Sequence, residues 1–122
     1  MSDCGACLYS EEDGYSEFCH ISIRKARKPH RCCECLKTIM PGDKYEHYWG
    51  KYDGDTCAIN TCIICAEIAD AFYCDSRVYG GGLWDGMHYI MPELTVACFD
   101  RLSSPEAKAE LQRRWMKWKG IA

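Results

Sequence analysis

Arg31-Cys32-Cys33-Glu34-Cys35 and Thr61-Cys62-Ile63-Ile64-Cys65 each carry two cysteines in C-x2-C spacing, and 26 residues separate Cys35 from Cys62. Four soft sulfur ligands in two such pairs match the spacing of tetrahedral zinc sites. Four thiolates fill every position around Zn2+ and leave none for a water to be activated. The expected ion is therefore a structural staple, and function is sought in binding surfaces.

The segment between the pairs supports that reading. Pro41-Gly42-Asp43 ends the first knuckle, and Lys44 to Trp49 alternates so that Tyr45, His47 and Trp49 share one face of a strand. Asp53-Gly54 marks a turn, and Thr56 to Thr61 gives the return strand with Cys57 and Ile59 on a common face. From Cys62 onward, Ile64, Ile68, Ala71 and Phe72 recur at helical spacing. The second pair then lies at a helix N-terminus, whose free N–H groups and positive dipole end favour thiolate. Knuckle, β-hairpin and helix start together describe a treble-clef-like unit within a small α+β zinc-stabilised domain.

Outward from this unit, Phe18 to Ile23 alternates as a short strand, and Arg24 to Arg31 is a basic approach in which Pro29 stops any helix. Gly80-Gly81-Gly82 marks a turn or a close backbone approach and is followed by an aromatic stretch with Trp84, His88 and Tyr89 to which no element is assigned. Ser104, Pro105 and Glu106 start a C-terminal helix whose Leu111, Trp115 and Trp118 are expected to face the core. The expected organisation is a zinc-binding domain over 1–104, opening with an acidic segment, and an amphipathic helix over 105–122 packed on it.

At 122 residues the chain builds only a modest core, so a metal would add stability that packing alone does not provide. Eleven cysteines, an odd number with three C-x2-C pairs, favour metal thiolates over a disulfide scaffold. The first 23 residues hold five acids and no Lys or Arg, unlike a secretory leader, and no apolar run reaches membrane-spanning length. These features lead to the expectation of a reducing cytoplasm and no membrane. The net charge is −3, and the cations are clustered near Cys32 and in the last helix.

Cys32, Cys35, Cys62 and Cys65 form the expected zinc site. Adjacent side chains diverge, so Cys33 is left for a second zinc cluster with Cys4, Cys7 and Cys74, with Cys19 or His20 as alternative fourth ligands. One ion is expected and a second is left open. Cys19, Cys57 and Cys98 read otherwise as small buried apolar side chains, and His30 as a contact flanking the knuckle.

The run from Arg24 to Cys35, followed by Ile39 to Glu46, Gly50 to Gly54 and Thr61 to Cys65, resembles small cysteine-rich phage and prophage proteins. The resemblance implies a phage-like origin, a zinc-held core, a bacterial-host cytoplasm and a host-directed binding role, with no assigned activity. Leu36 stands where such knuckles often carry glycine. A looser resemblance links Glu46-His47, Asn60 and Cys62-x2-Cys65 to HNH nucleases, with His47 as the general base. Ala66 occupies the position of the usual His, and Asn60 lies close to Cys62.

The leading expectation is a non-enzymatic zinc protein that binds a host protein or complex, in an anti-defence or similar role. The alternative is nucleic-acid binding through Arg24, Lys25, Arg27, Lys28 and Arg31, joined by Arg113, Arg114, Lys117 and Lys119. A degenerate HNH-type nuclease is the third reading.

Overall fold

The computed structural model describes residues 4–8, 18–52, 55–73 and 82–120. Three antiparallel strands, β1 (Phe18–Lys25), β4 (Lys44–Tyr52) and β5 (Asp55–Cys62), form one sheet in the order β1-β4-β5. Between β1 and β4 lies a two-stranded ribbon, β2 (His30–Arg31) with β3 (Thr38–Ile39), whose loop is the first cysteine knuckle. The strand expected to end at Ile23 continues to Lys25, because Arg24 and Lys25 pair with Tyr45 and Lys44. The expected hairpin is present with Tyr52 opposite Asp55, while its Asp53-Gly54 turn lies outside the described residues.

The backbone leaves β1 without losing its anchor. Ala26 donates its N–H to the Asp43 carbonyl at 2.9 Å and accepts from Gly42 N–H at 2.8 Å. Gly42 has φ of 94°, a left-handed conformation that glycine adopts without Cβ strain, and this closes the turn after β3. The basic segment is thus tied across the turn that ends the knuckle.

Helix α1 (Ile63–Phe72) follows β5 directly, with Cys62 as its N-cap. It buries Cys65, Ala66, Ile68, Ala69 and Phe72, the stripe that a 3.6-residue period places on one face. The aromatic stretch left unassigned by periodicity becomes α2 (Leu83–Ile90), which buries Leu83, Met87 and Ile90 and exposes His88 and Tyr89. A short 3-10 turn (Met91–Glu93) and α3 (Val96–Phe99) lead to α4 (Pro105–Lys119). Ser104 caps α4 as expected, its Oγ accepting from Ala107 N–H at 3.1 Å. Helix α4 packs on α1 and α3 and buries Ala107 and Leu111, with Trp115 partly buried. Trp118 is 40% exposed rather than core-facing, since it lies in the last turn beyond the neighbouring elements.

The N-terminal residues are part of this core. Cys4, Ala6 and Leu8 are buried, Leu8 N–H donates to the Phe72 carbonyl at 2.7 Å, and the Arg101 guanidinium donates to the Cys4 and Ala6 carbonyls, each at 2.6 Å. Gly86 lets Leu8 approach α2, because a Cβ there would lie 3.0 Å from Leu8 Cδ2. Cys4 forms a disulfide with Cys98 of α3, 94 residues away. No helix among the described residues is long and apolar enough to cross a membrane.

In the chain-entropy account a cross-link spanning this separation stabilises by up to about 4.7 kcal/mol through the loss of unfolded-chain entropy. Cys98→Ser is expected to lower unfolding free energy by 2 to 4 kcal/mol, an estimate of about that order from the same account. Urea denaturation of the variant beside the wild type checks this. A variant midpoint equal to that of the wild type would show that the cross-link contributes nothing.

Candidate metal centre

Chain geometry brings Cys32, Cys35, Cys62 and Cys65 together, with their four sulfurs all within 4.8 Å of one another. Cys35 and Cys62 sulfurs are 3.8 Å apart. A tetrahedron with Zn–S bonds near 2.3 Å has edges of about 3.8 Å, so the donor set fits zinc with only a small contraction. Cys32 and Cys65 are buried, and Cys35 and Cys62 partly so.

Backbone amides already solvate these sulfurs. Cys32 Sγ accepts from the N–H groups of Glu34 at 3.4 Å and Cys62 at 3.3 Å, and Cys62 Sγ accepts from Cys65 N–H at 3.4 Å. Such bonds favour thiolate and fix sulfur direction before metal arrives. The knuckle is closed by Leu36 N–H to the Cys32 carbonyl and Cys32 N–H to the Lys37 carbonyl, both 3.0 Å. Leu36 adopts φ of 63°, the left-handed conformation that the usual glycine would take.

The thiols of Cys32, Cys62 and Cys65 compete for ionisation. Hydrogen bonds from Cys62, then from Cys65, hold the Cys32 thiol far below its ordinary pKa. The hydrogen bond to Cys32 pushes Cys62 up to about 12, and bonds to Cys32 and Cys62, with burial, raise Cys65 strongly. Ionisation of Cys32 is thus favoured at the expense of Cys62 and Cys65. Zinc entry displaces the thiol protons.

The second cluster expected from Cys4, Cys7, Cys33 and Cys74 requires correction. Cys4 is bonded to Cys98, and Cys7 is also disulfide-bonded, so neither offers a thiolate. Cys33 instead lies 3.4 Å from the Thr61 hydroxyl, while Cys74 and the Cys19 side chain fall outside the described parts. His20 is exposed on β1 and does not join the sulfur group. Cys98 is a cross-link rather than an apolar thiol. Cys57 is exposed rather than buried, because it sits on an edge strand opposite Gly50, which has no side chain to cover it.

Beside the knuckle lies an open cleft of about 1030 Å3 lined by Arg24, Lys25, Arg27, Lys28, His30 and Tyr45. The four cations are exposed, and among the described residues no carboxylate pairs with them. Arg31 is also exposed, its Nε donating to the Leu36 carbonyl at 3.3 Å. The C-terminal cations are differently placed. Arg113 and Arg114 bond Glu110 at 2.6 and 2.8 Å, with Lys37 3.8 Å away, and Lys119 sits 3.6 Å from the Trp115 ring centre. Burial opposes ionisation of Glu110, but the two arginine hydrogen bonds and the Lys37 charge outweigh it and lower its pKa.

One arrangement at the cleft was not foreseen from the sequence. Asn60 bridges two imidazoles: its Oδ1 accepts from His47 Nδ1 at 2.8 Å, and its Nδ2 donates to His30 Nδ1 at 3.4 Å. The His30 ring lies 4.9 Å from Tyr45. The cross-strand pairing of His47 with Asn60 was the available signal, but placing His30 beside them depends on the ribbon. Compared with known proteins, the chain matches no family model, no curated protein sequence and no solved structure.

Elemental analysis is expected to give one zinc per chain, lost with cooperative structure in Cys35→Ser or Cys62→Ser, since binding free energy at such sites is folding free energy of about 10 kcal/mol or more. Each ion entering at neutral pH releases at least the protons of Cys62 and Cys65, so affinity falls as pH falls. Calorimetry in buffers of different ionisation enthalpy reads this count, and proton-neutral uptake would contradict it.

Leu36→Gly tests the knuckle. Left-handed geometry costs a non-glycine residue about 1 to 2 kcal/mol, and glycine's extra unfolded freedom offsets about 0.5 to 1 kcal/mol. Leu36 is 60% exposed and forfeits little burial. The variant is expected to gain about 0.5 kcal/mol in chemical denaturation of the zinc-loaded protein.

Proposed function

We propose that the chain is a non-enzymatic zinc-stapled binding protein, with a treble-clef-like knuckle, hairpin and helix start, whose partner is nucleic acid. The four-sulfur set supports a structural ion, because zinc bound by all four has no open position for catalysis. The observation that carries the partner is the cleft, where four cations without carboxylate partners among the described residues converge on His30 and Tyr45. Concentrated like charge of this kind favours phosphate backbones through counterion release. A phage-like origin and bacterial cytoplasm remain part of this proposal through the resemblance of the segment from Arg24 to Cys65.

Two other readings stay in the test. A host protein with an acidic face would use the same cations, and the His47–Asn60–His30 chain supports the HNH-like alternative with His47 as base. Mobility-shift assays at low salt are expected to show binding to nucleic acid that is lost when Arg24, Lys25, Arg27 and Lys28 are all reversed to Glu. Supercoiled DNA incubated with Mg2+, Mn2+ or Ni2+ is expected to stay intact. Cleavage abolished by His47→Ala would replace the binding reading with the nuclease one.

A further inference from the structure

The cleft opens onto one face of the three-stranded sheet, and register defines what that face carries. Cross-strand rows run from Arg24, Tyr45 and Cys62 at the cleft, through Ser22, His47 and Asn60, to His20, Trp49 and Ala58. Rows two residues apart are separated by about 6.8 Å along the strands. His20 and Ala58 are exposed, Trp49 is 41% exposed, and Ser22, His47 and Asn60 are half-buried. On the opposite face Tyr48, Glu46, Thr61 and Gly50 are buried, while Ile21, Ile23 and Cys57 are exposed and offer no aromatic ring or cation. The open face therefore joins a cationic cleft to a surface of imidazoles, a hydroxyl, an amide and an indole.

We infer that this face binds single-stranded nucleic acid, with phosphates in the cleft formed by Arg24, Lys25, Arg27 and Lys28 and unpaired bases stacked on Trp49 and His20. The inference rests on the nucleic-acid reading above and adds the form of the ligand. The reason is access. A base in a duplex hides both π-faces in the stack, whereas an unpaired base can lie flat on an aromatic side chain. The bonded chain also sets hydrogen-bond polarity. Because His30 Nδ1 accepts from Asn60, its proton is on Nε2 in the neutral ring, giving the cleft a donor for a phosphate oxygen. His47 donates from Nδ1 to Asn60, which leaves its Nε2 as an acceptor for a base amino group. The basic residues of α4 offer no comparable groove-reading helix, since Arg113 and Arg114 are held by Glu110.

Fluorescence anisotropy with the zinc-loaded full chain provides the test, using a labelled dT12 strand, the matching dT12·dA12 duplex and poly-glutamate. The single strand is expected to bind at least tenfold tighter than the duplex, and poly-glutamate not at all. Four phosphate contacts give a log–log salt slope of about −3 for a single strand. Trp49→Ala is expected to weaken single-strand binding about tenfold or more while leaving that slope unchanged. Arg27→Gln with Lys28→Gln is expected to make the slope shallower by about 1.4. Trp49→Phe serves where the alanine variant loses zinc or cooperative melting, and it should retain binding within about threefold while reducing ligand-induced quenching of indole fluorescence. Duplex binding equal to or tighter than single-strand binding overturns this inference and leaves the nucleic-acid reading standing, as does quenching unchanged in Trp49→Phe. Binding to poly-glutamate with none to either nucleic acid overturns both.

Discussion

Convergence of four sulfurs on one point is the constraint from which the remaining structure follows. Cys32 and Cys35 belong to a ribbon loop, Cys62 ends β5, and Cys65 lies in the first turn of α1. Three elements that share few large apolar contacts are thereby fixed against one another. Each sulfur replaces solvent with backbone N–H groups or with neighbouring thiols, and a metal ion completes what the protons on Cys62 and Cys65 satisfy only in part. The apolar core is continuous with the buried cysteines, Cys32 and Cys65 belonging to the same cluster as Ile68, Phe72, Leu83, Met87, Leu102 and Leu111. Helix α1 is thus the element shared by the metal centre and the hydrophobic core.

The charge distribution makes sense only with that frame rigid. Four cations between positions 24 and 28 repel one another, and proteins ordinarily interleave acids to relieve such repulsion. At the C-terminal helix this is done, with Glu110 gathering Arg113, Arg114 and Lys37. At the cleft no carboxylate among the described residues pairs with the four cations, although Ala26 anchors the segment by two backbone bonds to the turn after β3.

How much of this was legible depended on the range of the interaction that fixes each feature. Strand alternation around Tyr45, His47 and Trp49, the helical stripe after Cys62 and the Ser104 cap are local, and the sequence carries them directly. The metal set was legible because ligand spacing is itself a local pattern. The Cys4–Cys98 cross-link was not, since nothing at either residue encodes a partner 94 positions away. Helix α2 left a signal in the i, i+4, i+7 spacing of its buried Leu83, Met87 and Ile90, but it is only eight residues long and contains Gly86, a poor helix former whose reason is the close approach of Leu8. Leu36 marked an anomaly by its identity, and the left-handed backbone supplies its physical meaning.

The two sulfur chemistries place different demands on the chain. Thiolates that are to hold a metal need protection from oxidation, which burial gives Cys32 and Cys65 and backbone N–H bonds support at Cys32 and Cys62. The cross-link of Cys4 to Cys98 needs protection from reduction, and burial supplies it, with Cys98 fully buried and Cys4 nearly so. Attack by an external thiolate requires access to a sulfur, so a shielded pair exchanges slowly even where soluble thiols are abundant. Arg101 adds to this shielding by binding the carbonyls of Cys4 and Ala6 while stacking over Phe72 at 5.3 Å. Opening the cross-link therefore requires the N-terminal segment to leave the core first, and that motion would uncover Leu8, Phe72 and the face of α2 that Gly86 keeps flat. The four sulfurs and the disulfide consequently lie at opposite ends of the same helix, the sulfurs joining the start of α1 to the ribbon and the cross-linked segment covering its end.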